Sequence, residues 1–157
     1  MGAGKAFAII GGLLVIVATF ILSLYTYGVE YASGINIIMN FAELFAGEII
    51  NIVFGVLLII FMISGILILI GVKSRALAII GALMPLVLSI FIILGPLGIL
   101  DLYSYFDPLL GDQLVAGIIP YDMPIWPGSG LIQVSLGTYI LLVGGLIGLI
   151  SGFMSRD

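Results

Sequence analysis

The sequence predicts an all-α integral membrane fold: four transmembrane helices forming a bundle, built as two tandem-duplicated hairpins that point the same way. Three observations predict it. The chain of 157 residues is 63% hydrophobic and only 8% charged, with a mean hydropathy of +1.45, which is more apolar surface than a water-soluble core of that size can hide. Four apolar runs, 6–27, 49–72, 76–97 and 131–153, each reach the roughly 20 residues that cross a hydrocarbon layer of about 30 Å. The text also repeats itself. Lys5-Ala-Phe-Ala-Ile-Ile-Gly-Gly-Leu13 returns nearly unchanged as Arg75-Ala-Leu-Ala-Ile-Ile-Gly-Ala-Leu83, and Gly71-Val-Lys-Ser-Arg75 returns as Gly152-Phe-Met-Ser-Arg156. A transmembrane barrel is excluded, since its strands would alternate polar and apolar residues over segments of about ten. The whole chain, 1–157, reads as a single transmembrane domain, repeat 1 covering about 1–73 and repeat 2 about 74–157.

The first run follows Lys5. It is too long for the apolar region of a signal peptide and no small-residue cleavage site follows it, so it is expected to be a retained span. Thr19 stands near its middle, and Tyr25 and Tyr27 fall where an interfacial aromatic belt belongs. From Ser33 onward, Ser33, Asn36, Asn40, Glu43 and Gly47 recur at three- and four-residue spacing among apolar residues, the pattern of an amphipathic helix at the headgroup layer. The second run opens with Glu48 and Asn51 one turn apart and closes at Gly71.

A tight basic turn, Lys73-Ser74-Arg75, leads into the third run, where Ser89 takes the register of Thr19 and Pro85 that of Val15. Proline lacks a backbone donor, so a kink is expected there. The connection after Gly98 carries Pro108, Pro120, Pro124 and Pro127 with Tyr103, Tyr105, Phe106, Tyr121 and Trp126. That many prolines exclude one continuous helix, and the aromatic content predicts a structured outer cap, a recognition surface resting on the helix ends or the interface. The fourth run holds Gln133 and the strip Gly144, Gly148, Gly152.

Charge orients the chain. The basic residues Lys5, Lys73, Arg75 and Arg156 lie at one set of helix ends, and seven acids, Glu30, Glu43, Glu48, Asp101, Asp107, Asp112 and Asp122, lie in the opposite connections. By the positive-inside rule both termini and the Lys73 turn face the cytoplasm and the acidic connections face outward, in a membrane expected to be the plasma membrane.

Glycines spaced by four residues let helices approach closely in a solvent that gives them no hydrophobic drive to associate. Gly144, Gly148 and Gly152, with Gly11 and Gly81, are therefore the candidate packing positions, inside the monomer or against a partner. Thr19, Ser89, Glu48, Asn51 and Gln133 are the candidates for interhelical hydrogen bonds or a polar pathway, although a hydroxyl in a lipid-embedded helix usually bonds its own backbone. The outer acids are suited to drawing cations, but their spacing matches no calcium loop and serves topology as well.

No ionisable residue lies deep in the four runs, which removes the carrier chemistry such a residue supports. The duplicated hairpins resemble in layout the proteolipid ring subunits of rotary ATPases, whose midspan carboxylate has no counterpart here. The loop plan looks like a tetraspanin's, whose disulfide loop needs cysteines this chain does not have. Without histidine or cysteine, the usual ligands of haem and iron–sulfur centres are missing. No catalytic residue, cofactor or metal site is expected, and no nucleic-acid partner. The leading expectation is a structural or assembly subunit that packs laterally against other membrane subunits or copies of itself. The alternatives are an oligomeric pore or transporter element with a cation-attracting face, and a binder of lipid or an apolar small molecule.

Overall fold

The computed structural model describes residues 2–40, 42, 45, 49–99, 117–119, 124–129 and 132–155. Helix α1 (Ala3–Ile16) runs into one π-helical stretch (Val17–Ile21), followed by strands β1 (Tyr25–Tyr27) and β2 (Glu30–Ala32) and the short helix α2 (Ile35–Met39). Helices α3 (Ile49–Ile70) and α4 (Arg75–Leu94) come next, then β3 (Pro124–Ser129), β4 (Ile132–Ser135) and α5 (Leu136–Phe153). Three stretches, Ala3–Ile21, Arg75–Leu94 and Leu136–Phe153, are long and apolar enough to cross a membrane, and α3 contains the shorter apolar helix Gly55–Ile70.

The four long helices close a ring in which α1 and α4 each pack on both α3 and α5. Val15, Leu58, Phe61, Ile68, Ala82 and Leu141 fill the space between them. The outward faces are aliphatic as well: Ile10 and Leu13 on α1, Ile63 and Ile66 on α3, Leu83 and Val87 on α4, and Val143 and Leu146 on α5 are all exposed. A helix apolar on both its packed and its open side belongs in lipid rather than in water. Helix α4 continues through buried Pro85 to Leu94.

The all-helical expectation needs correction at the end of the bundle away from the Lys73 turn. The helix expected over 6–27 stops at Ile21, and the one expected over 131–153 begins at Leu136. Residues 25–27 and 132–135 instead pair with each other, Tyr25 opposite Val134 and Tyr27 opposite Ile132, in an antiparallel sheet of order β2-β1-β4-β3. Both segments are uncharged continuations of apolar runs, but each satisfies its backbone through a partner more than 100 residues away. The amphipathic stretch after Gly34 forms an α-helix over Ile35–Met39. The ends expected at 72 and 97 fall at Ile70 and Leu94.

Candidate functional site

The densest long-range bonding of the described chain gathers where α1 ends. A helix terminus leaves its last carbonyls without intrahelical partners, and the π stretch, closed by Leu22 N–H donating to the Val17 carbonyl at 3.1 Å, widens this one. Three consecutive carbonyls are then met from elsewhere in the chain. Gly34 N–H donates to Thr19 at 2.8 Å, Ile118 N–H to Phe20 at 3.3 Å, and Ile119 N–H to Ile21 at 2.8 Å. Gly34 can come so near because it has no Cβ; one placed there would sit 2.5 Å from the Thr19 carbonyl oxygen.

One step on, the Leu24 carbonyl is the hub that joins α1 to α5. It accepts Ser135 N–H at 3.0 Å and the Thr138 hydroxyl at 2.5 Å, while Leu24 N–H donates to Ala32 at 2.7 Å. Thr138 is fully buried. Beyond it, β3 and β4 pair with a register shift between Ile125 and Gly128, a bulge that contains Trp126. The Tyr139 hydroxyl, in the first turn of α5, donates to the Trp126 carbonyl. The Trp126 side chain itself is 73% exposed, consistent with the way a bulge re-aims a residue.

The candidate residues divide between the interior, the sheet end of the bundle and the undescribed chain. Gly11 lies against the backbone of α5: a Cβ there would be 2.7 Å from Gly148 N and 2.9 Å from the Gly144 carbonyl oxygen. Gly81 meets α3 in the same way, at 2.9 Å from both Ile68 N and the Ser64 carbonyl oxygen. Gly144 faces Leu14 and Val15, Gly148 faces Ile68, and Gly152 faces Ile79. All five glycines thus lie close to other segments of the same chain. Thr19 donates to the Val15 carbonyl at 2.8 Å and Ser89 to the Leu86 carbonyl at 3.0 Å, so both hydroxyls return to their own helices.

Gln133 stands in β4 with its side chain exposed, not within a span. Glu48, Tyr103, Tyr105, Phe106 and Tyr121 lie outside the described residues, as does the Asn51 side chain. Thr138, Tyr139, Leu24 and Gly34, which build the junction, were not among the candidates. Thr138 and Tyr139 carry a usable signal, a hydroxyl pair near the start of an apolar run; Leu24 and Gly34 act through backbone atoms and carry none. The polar groups placed here hold chain segments together. No protein-family model matches the chain, nor does any curated protein or solved structure.

Proposed function

We propose that this is a non-catalytic polytopic membrane protein, a structural or assembly subunit that works through its lateral helix faces and outer loops. One observation carries the reading. The bundle interior is filled by Val15, Phe61, Ile68 and Leu141, and the hydroxyls of Thr19, Ser64, Ser89 and Ser151 are bonded to their own helices. Among the described residues, what remains on offer to other molecules is the set of outward aliphatic ridges and the outer sheet.

In this reading all four long helices span the membrane; α3, with 22 residues, is about 33 Å long, enough for a layer of about 30 Å. The two hairpins are tandem copies. Supporting this, Gly65 packs on Ile16 and Gly145 on Leu86, while Gly11 meets Gly144 and Gly148 as Gly81 meets Ser64 and Ile68. First helices correspond at a spacing of 70 residues and second helices at 80. The Gly71 and Gly152 text match, at 81, is one residue longer. Termini and the Lys73 turn are cytoplasmic and the acidic connections lie outside, by the charge bias.

Gentle extraction from native membrane tests the role: a stoichiometric partner or a defined homo-oligomer should co-purify, and vesicles containing the protein should stay ion-tight. Flux that weakens when the outer acids are neutralised would replace this reading with the pore, and a distinct lipid retained through purification would replace it with the lipid binder. Because the chain has no cysteine, single cysteines at Val29 and Lys73 report topology on a clean background, and both should label from opposite sides.

A further inference from the structure

We infer that strand β3 is a membrane-interface anchor, with the Trp126 side chain seated among outer-leaflet phospholipids at the boundary of headgroups and acyl chains. The inference rests on the transmembrane reading above and adds where the outer sheet lies.

Tyr139, Val143, Leu146, Ile150 and Phe153 alternate by four and three residues and so form one ridge along α5. The last four are exposed and Tyr139 half-buried. This is the face α5 turns toward lipid, and Tyr139 heads it. Its hydroxyl holds the Trp126 carbonyl, so the strand carrying the most exposed described aromatic of the outer end is tied to the top of the lipid-facing ridge.

Length sets the depth. Helix α5 has 18 residues, about 27 Å, a few ångströms less than a hydrocarbon layer of about 30 Å. The stretch Ala3–Ile21 has 19 residues, about 28 Å by the same rise. These two helices carry β1 and β4, so the sheet is drawn down to the interface instead of standing clear in water. An indole prefers that level because its ring is apolar while its N–H keeps a polar partner. The sequence of β3, Pro-Ile-Trp-Pro-Gly-Ser, has no charge to oppose the placement, and its two prolines keep the edge strand from recruiting another strand.

Trp126 is the only tryptophan, so the fluorescence of the full chain reports this one site. Protein reconstituted in phosphatidylcholine vesicles is first floated after alkaline wash, then titrated with lipids brominated near the glycerol end of the acyl chain, with lipids brominated near its terminal methyl, and with aqueous acrylamide. Blue-shifted emission is expected, with quenching by the shallow brominated lipid at least about twofold stronger than by the deep one or by acrylamide, as for an interfacial indole. Tyr139→Phe should raise acrylamide quenching with the helical circular dichroism unchanged, and Trp126→Phe should abolish the signal. Emission at the position of free tryptophan with dominant acrylamide quenching would overturn the anchor while leaving the spans intact. Emission insensitive to brominated lipid but dependent on protein density would assign the site to a second copy and overturn it as well. Failure to float would overturn the transmembrane reading, and the anchor with it.

Discussion

Helices α3 and α4 are consecutive, separated only by the residues Gly71 to Ser74, whereas α1 and α5 come from opposite ends of the chain; yet each pair packs side by side. The first pair is held by its turn, in which Val72 N–H donates to Leu69 and Lys73 N–H to Ile70. The second pair is stitched at both ends. On one side Gly4 N–H donates to the Ser155 carbonyl at 3.2 Å; on the other Leu24 takes Ser135 and Thr138, and β1 pairs with β4. Lipid offers no hydrophobic drive to bring helices together, so helices without a short covalent link gain most from polar bonds at their ends. The contrast shows that the sheet does for α1 and α5 what a short loop does for α3 and α4.

The largest expected effect separates the two pairs. Gly11→Val forces α1 off the α5 backbone and should cost about 3 kcal/mol, near the top of the range for overpacking; it also strains the stitches at either end. Gly81→Val clashes comparably with α3 but leaves the turn in place. Thermal unfolding in detergent should therefore show a clearly larger drop for the first, and equal drops would erase the distinction.

Next, Thr138→Val removes the buried hydroxyl that reaches across to Leu24 and should cost about 1 kcal/mol, within the range for interhelical bonds in membranes. Thr19→Val, which removes only a bond within one helix, should cost clearly less under the same denaturation in mixed micelles. The reverse order would mean that the stitch is incidental.

Gly28 turns the β1–β2 hairpin with φ +62 and open space around it. Gly28→Ala should cost about 1 kcal/mol from backbone strain alone, seen as faster amide exchange across β1 and β2 with the helices unaffected. The smallest effect belongs to the covalent link: doubling the Gly71–Ser74 turn with glycine and serine should cost only about 0.6 kcal/mol of loop entropy, readable as a shift of the unfolding midpoint. A larger loss would show that the turn does more than tether.

How far the sequence carried differs by element. The end of α3 at Ile70 and the start of α4 at Arg75 lie within a few residues of the expected turn, because Gly71, Lys73 and Arg75 interrupt an otherwise unbroken apolar text. At the opposite end of the bundle the runs expected over 6–27 and 131–153 differ by about half a dozen residues from the helix ends at Ile21 and Leu136, because Tyr25–Tyr27 and Ile132–Ser135 carry no charge or proline that would close an apolar run, and a short uncharged stretch at a helix end does not by itself distinguish helix from strand. Of the site, the Leu24 hub lies at no position that residue type or spacing singles out, because it acts through its backbone carbonyl.

Transfer into lipid is a property each segment has by itself, the sum of its side chains' preferences and its length, so the sequence alone determined which stretches are apolar enough to leave water and where the charged turn between them falls. Which helices become neighbours, and which short segments pair as strands, depends on backbone groups that find partners more than 100 residues away. Only the tertiary structure decides that, because a donor or acceptor beyond a helix end carries no mark in its own residue of the carbonyl or amide that will satisfy it.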